Sequence, residues 1–164
     1  MESNFLIALV LVVLVVVGSV VWVRPSPRDK KLALWRQQTL LAGMKVKLEG
    51  FKAEPKESGI RADIEGASYQ LFNHQPDKKD TLVWAVVKDQ GWLKDHLPED
   101  WSWYRQQADD ALVGRIADLI REVPIDVIGI ERTPYMSRIV WKEVGKEYDP
   151  AELKRFLDKV QAVA

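Results

Sequence analysis

The sequence predicts an α+β fold, in which a single N-terminal transmembrane helix is followed by a mainly antiparallel sheet of about five strands with helices packed on one face. Three observations predict it. Residues 5–23 form an unbroken run of apolar or small side chains, several later segments have the periodicity of strands, and others have the periodicity of helices. Adjacent strands without a helix between each pair favour antiparallel pairing.

The apolar run from Phe5 to Val23 predicts the transmembrane helix. As a helix it reaches roughly 28 Å at about 1.5 Å per residue, which matches a hydrocarbon core of about 30 Å. The run carries no charge, and in lipid only a helix satisfies its backbone groups internally. Residues 1–4 hold Glu2 and no basic residue, and no A-x-A site follows the run. These features favour a retained anchor over a cleaved signal peptide.

The residues after the run predict its orientation. An indole at Trp22 suits the headgroup region. A basic flank follows, formed by Arg24, Arg28, Lys30 and Lys31. The positive-inside rule then places the C-terminal side in the cytoplasm and residues 1–4 across the membrane, with membrane lipid as one partner. The absence of cysteine agrees with a cytoplasmic domain.

Two prolines and a glycine mark the region after the apolar run. Arg24-Pro25-Ser26-Pro27 restricts the backbone to a stiff hinge. A helix is predicted over residues 29–42, with Gly43 as its C-terminal stop. Residues 24–43 therefore form a basic hinge and juxtamembrane helix, and residues 44–164 form the cytoplasmic α+β domain.

The first half of the domain shows three strand patterns that are separated by polar stretches. Alternating side chains predict a strand over residues 44–51, and residues 67–73 predict a second. The polar stretch 53–66 between them is predicted as a loop. Residues 81–87 are apolar on both faces, which is typical of a central strand.

The second half begins with an irregular stretch over residues 90–104. A helix is predicted over residues 106–123, because apolar side chains recur there every three or four positions. Two strands follow over residues 125–132 and 138–144, with a tight connection between them. The last helix begins at Asp149-Pro150, an N-cap followed by a proline at the first helical position.

The sequence shows no catalytic set. It has no cysteine and no G-x-S-x-G, P-loop, G-x-G-x-x-G or H-E-x-x-H pattern. The histidines His74 and His96 lie in loop-like contexts, which favours solvated or packed imidazoles over a metal pair. A net charge of zero argues against generic nucleic-acid binding. We therefore predict no enzyme and no catalytic, cofactor-binding or metal-binding residue.

An aromatic group is the candidate partner surface: Trp92, Trp101, Trp103 and Tyr104. Large aromatic side chains are enriched in binding hot spots and at membrane interfaces. The favoured alternative is that these side chains hold a long loop against the sheet. Contact with the membrane is a third interpretation.

The lysines of the first strand offer a second candidate. Lys45 and Lys47 could line an edge strand that a partner extends by one strand. Lysines also prevent unwanted pairing at sheet edges, and that interpretation is favoured.

The N-terminal part of the chain resembles a known family. The pattern consists of the apolar run, Arg24-Pro25, the basic Arg28, Lys30 and Lys31, and then Leu40, Gly43 and Val46. It is similar to YajC proteins, small ancillary subunits of the bacterial Sec preprotein translocase. The resemblance covers residues 5–48 and implies the bacterial inner membrane and the translocase as a partner. From Glu49 onward a long polar loop replaces the glycine-rich β segment of that family.

The sequence thus predicts a membrane-anchored, non-enzymatic accessory or scaffold subunit. Its cytoplasmic domain is expected to bind another inner-membrane protein or complex, with the preprotein translocase implied by the resemblance, and no nucleic acid. The alternative is a membrane-tethered ligand-binding or enzymatic domain of unknown substrate. Its pocket would lie between residues 92–104 and the strands near Trp84 and Trp141.

Overall fold

The described residues form four helices and an antiparallel sheet of six strands. The structure is a computed structural model that describes residues 2–22, 26–88, 91–105, 109–124, 126–144 and 149–163. The helices are α1 (Glu2–Trp22), α2 (Pro27–Leu41), α3 (Asp110–Glu122) and α4 (Pro150–Ala162). The strands are β1 (Lys45–Lys47), β2 (Ala67–Phe72), β3 (Trp84–Val87), β4 (Ser102–Arg105), β5 (Val127–Thr133) and β6 (Met136–Trp141). Their order in the sheet is β1-β2-β6-β5-β3-β4.

The prediction of an N-terminal transmembrane helix is wrong for the part of the chain that the structure describes. Within it, no helix has both the length and the apolar character needed to cross a membrane. The backbone of α1 is helical over Glu2–Trp22.

The chain divides into two compact units, Met1–Trp35 and Arg36–Ala164. In the first unit, α2 begins at Pro27, earlier than predicted, because Ser26 caps it. The Ser26 hydroxyl accepts from the amide of Asp29 at 3.1 Å, and the Asp29 carboxylate accepts from the amide of Ser26 at 3.1 Å. This reciprocal pair is a capping box that satisfies two amides at the helix start.

The sheet lies in the second unit and is antiparallel throughout its described pairs. The α+β class and the antiparallel pairing agree with the sequence, but the predicted count of about five strands is wrong. The additional strand, β4, lies in the stretch predicted to be irregular. A bulge against β3 lets both Trp103 and Tyr104 be buried. The bulge therefore interrupts the period of two by which a strand is recognised.

Both faces of the central strands are buried, and two different parts of the chain cover them. Helix α4 lies against β2, β5 and β6, and α3 lies beside α4, where Lys159 Nζ is 2.7 Å from Glu122 Oε2. On the opposite face, Phe51 and Ile60 pack with side chains of the strands. The polar stretch predicted as a loop is thus the second cover of the sheet. Two backbone hydrogen bonds between Phe51 and Ile64 close residues 51–64 into a hairpin-like segment, which we call the arch.

Phe51 is the anchor of this arch. Its ring lies over Gly129 of β5, where an added Cβ would come within 2.3 Å of Phe51 Cε2. The ring of Tyr104 meets it edge-on with centroids 4.8 Å apart, and the guanidinium carbon of Arg138 lies 4.4 Å from its centroid. The glycine therefore leaves the space that lets an aromatic ring reach the backbone of the middle strand.

A buried ion pair ties the turn before β3 to β5. The side chain of Arg132 is 2% exposed and pairs with Asp80. Its Nη1 donates to Asp80 Oδ1 at 2.9 Å and to the carbonyl of Leu82 at 2.6 Å. The hydrogen bond from Arg132 holds the pKa of Asp80 below its ordinary value. Removal of one partner of such a buried pair costs about 3–5 kcal/mol, so this contact holds the turn in place.

We expect Gly129→Ala and Gly114→Ala to change stability in opposite directions. The methyl group at position 129 collides with the buried Phe51 ring, and overpacking of this kind lowers the free energy of unfolding by about 1–3 kcal/mol. Position 114 lies inside α3 with no atom within 4 Å of an added Cβ, so alanine there raises it by about 0.5–1 kcal/mol. Urea denaturation of the two variants measures both values. Equal effects would contradict the role given to the Phe51 contact.

Candidate functional site

A polar groove opens where the arch leaves the sheet uncovered, next to the end of β1. It encloses about 670 Å³. Its walls are formed by Leu48, Glu49, Gly50, Lys52, Glu65, Gly66 and Arg138. Acidic and basic side chains alternate around it, so the groove suits a polar group rather than an apolar ligand.

Arg138 forms the inner wall of the groove. Its side chain is 12% exposed, and its guanidinium group lies over the ring of Phe51. On one side it pairs with Glu131, whose side chain is 7% exposed. On the other side its Nη1 is 4.0 Å from Glu49 Oε1. The cation is therefore held between two carboxylates and an aromatic ring, which fixes its position.

Glu49 forms the rim. Its Oε1 accepts from Gln70 Nε2 at 2.8 Å and lies 3.1 Å from Lys47 Nζ. Burial opposes ionisation of this carboxyl group, but the hydrogen bonds from Lys47 and Gln70 outweigh it and hold the pKa of Glu49 below its ordinary value. The rim thus carries a firmly ionised carboxylate.

A second polar contact joins the arch to β4. Tyr104 Oη donates to Glu54 Oε1 at 2.7 Å, and Arg105 Nη2 is 3.9 Å from the same oxygen. Burial, helped by the bond to Glu54, raises the pKa of Tyr104 to about 12. These shifts move the pKa values of Tyr104 and Glu49 away from neutral pH. General acid–base catalysis needs a pKa near the working pH.

The structure separates the four aromatic residues of the candidate partner surface. Trp101, Trp103 and Tyr104 are buried, whereas Trp92 is 64% exposed. Trp92 Nε1 donates to the carbonyl of Glu57 at 3.3 Å. Its ring covers Gly59, where an added Cβ would come within 2.8 Å of the ring. The partner surface stays a prediction, and within this group only Trp92 offers a large exposed apolar area.

The other residues singled out in the sequence lie apart from the groove. Trp84 and Trp141 are buried, and neither lines it. The basic side chains predicted to set orientation are exposed at Arg28, Lys30 and Lys31, whereas Arg24 and the side chain of Trp22 lie outside the described residues. Among the residues that the structure describes, no group of three or more His, Asp or Glu side chains could hold a metal ion.

Sequence reasoning missed the ion pair between Arg138, which lines the groove, and Glu131 behind it. Glu131 and Arg138 lie directly opposite each other in the β5–β6 hairpin. Arg138 is the one charged residue of β6, Glu131 lies beside Arg132 in β5, and counting back equally from the turn at residues 134–135 brings Glu131 and Arg138 together. A hairpin register was therefore the signal that could have found them.

Comparison of the chain with protein-family models, with curated proteins and with solved structures finds no match. These comparisons do not bear on the resemblance of residues 5–48 to YajC proteins, which stays a prediction. What the chain does is therefore inferred from its own residues.

We expect Glu131→Gln and Glu49→Gln to differ in their cost. Loss of the charge at position 131 leaves the nearly buried Arg138 without its closest partner, which lowers the free energy of unfolding by about 3 kcal/mol. Glu49 is 42% exposed, so the same change there costs less than about 1 kcal/mol. Urea denaturation at neutral pH gives both values. A larger loss at position 49 would show that the rim, not the inner pair, holds Arg138.

Proposed function

We propose that this protein is a non-enzymatic accessory subunit that is held at a membrane and binds another protein through its α+β domain. The observation that carries the membrane part is the surface of α1. The large apolar side chains of this helix at positions 6, 7 and 9–17 are each at least 50% exposed. Successive residues of a helix point about 100° apart, so the described stretch from Leu6 to Val17 has no polar face.

Lipid is the environment that suits such a helix. Burial of these side chains against the acyl chains of a bilayer removes apolar area from water. The exposed Arg28, Lys30 and Lys31 at the start of α2 add attraction to anionic headgroups, at about 1 kcal/mol for each basic residue near the surface. Both features support association with an anionic membrane.

The resemblance of residues 5–48 to YajC proteins supports a more specific setting. It favours the cytoplasmic face of the bacterial inner membrane, and it makes the Sec preprotein translocase the first partner to test. The exposed indole of Trp92 supports a contact surface on the domain, because tryptophan is enriched in binding hot spots.

A second candidate function is ligand binding by the tethered domain. The groove around Arg138 favours it, because the groove encloses about 670 Å³ and presents Lys52, Glu49 and Glu65 beside that cation. A small polar molecule with both charges would suit this lining. The two functions differ in what contacts the domain, which is a protein in the first and a small molecule in the second.

Membrane association predicts that the full chain floats with vesicles of anionic phospholipid in a density gradient. The double variant Val12→Asp/Val13→Asp places charges on the exposed circumference of α1, and we expect most of it to stay at the bottom of the gradient. The matched variant Val12→Leu/Val13→Leu keeps the surface apolar and should float like the unmodified chain. Flotation of the aspartate variant to the same extent would contradict the proposal.

Partner binding predicts a position-specific cross-link. A photoreactive phenylalanine analogue at position 92 should form an adduct with one membrane protein in cells, and a translocase subunit is the expected product. Tyr135, which is 66% exposed in the β5–β6 turn, is the control position and should give no such adduct. Identical adducts from both positions, or none from position 92, would count against this surface and favour the ligand-binding alternative.

A further inference from the structure

The two edges of the sheet differ in how they are covered. At β4, the amide of Trp103 donates to the carbonyl of Leu93 at 2.7 Å, so the segment before this strand occupies part of its outer side. At β1, the backbone groups of residues 45–47 bond to no described residue outside β2. An edge of this kind presents unpaired amides and carbonyls that another strand can use.

The side chains of β1 give this edge a charge. Its register against β2 places Lys45 and Lys47 on one face and Val46 on the other. Lys45 Nζ lies 5.9 Å above the ring of Phe72 and has no carboxylate partner among the described residues. Lys47 pairs with Glu49, but both side chains are 42% exposed. The open edge therefore carries a basic face with one unpaired cation.

Apolar side chains flank the same edge. Leu41 lies four residues before β1 and is 81% exposed, and Leu48 follows β1 directly and is 77% exposed. Phe72, below the Lys45 ammonium group, is 40% exposed. Exposed large apolar side chains next to an edge strand are typical of a surface that a partner covers.

From these features we propose that β1 is the docking edge for an extended segment of a partner protein in which acidic and apolar side chains alternate. Such a segment would pair with the backbone of residues 45–47. Its acidic side chains would lie beside Lys45 and Lys47, and its apolar ones would lie on the side of Val46. This inference rests on the proposed protein-binding function and names the chemistry of the partner.

The two lysines also disfavour pairing of β1 with β1 of a second copy of the chain. Antiparallel pairing of β1 with itself would set Lys45 opposite Lys47 of the other copy, and like charges directly opposite each other destabilise a sheet. The protective role of edge lysines and the docking role are therefore compatible, because the same charges reject basic or identical strands and admit acidic ones.

The test uses the full chain in mild detergent and a fluorescent, end-blocked peptide of alternating glutamate and valine. We expect this peptide to bind about tenfold more tightly than a matched peptide of alternating lysine and valine. In Lys45→Glu/Lys47→Glu the preference should reverse. The control Lys56→Glu/Lys78→Glu changes the net charge equally at exposed positions outside β1 and should keep the original preference. A glutamate peptide with N-methylated amides should lose binding, because it keeps the charge but cannot form a ladder.

Three results would overturn the inference. They are equal binding of the two peptides, no binding of the acidic peptide up to about 1 mM, and undiminished binding of the N-methylated peptide. These outcomes are separate from those of the proposed function. If the chain floats and cross-links at position 92 but does not bind the peptides, the proposed function is supported and the docking role of β1 is refuted. If the chain binds the acidic peptide but neither floats nor cross-links, the docking role of β1 is supported and the proposed function is refuted.

Discussion

The rest of the structure depends on the need to bury both faces of the central strands. All four residues of β3 are buried, and so are six of the seven residues of β5. A sheet of this kind needs a cover on each side, since exposed apolar area on either face costs about 25 cal/mol for each Å². Helix α4 supplies one cover. The arch around Phe51 supplies the other, and it reaches the sheet because Gly129 leaves room for the ring.

The polar features of the molecule lie where these covers end. Arg132 and Asp80 pair at the beginning of β3, and Arg138 and Glu131 pair at the margin of the arch. The part of the sheet surface that the arch does not cover forms the groove. The open edge of β1 lies next to the groove. The groove and the open edge of β1 therefore lie at the same end of the sheet.

The parts of the fold that the sequence predicted are those with a clear local period or a cap. Helix α4 begins at Pro150 after the cap Asp149, as expected, and the start and end of β2 agree to within one residue. The prediction failed where local pattern and packing disagree. The bulge interrupts the alternation of β4, so that strand was not predicted. Residues 53–66 were predicted as a loop because Ile60, which packs in the core, lies among polar neighbours, and Phe51 was assigned to the preceding strand. The transmembrane assignment rested on the length, the apolar character and the flanking residues of residues 5–23, and no described helix has both the length and the apolar character to cross a membrane.

The sequence by itself determined the class of the fold, most of its elements and the apolar and basic character of its N-terminal region, because these depend on neighbours a few positions apart. Only the tertiary structure decided which charges and aromatic rings meet. Glu54 and Tyr104 are 50 residues apart, and Arg36 and Glu143 are 107 apart, so no local pattern relates them. Packing likewise decided that Trp103 is buried and Trp92 exposed, because the burial of a ring depends on what the rest of the chain lays over it.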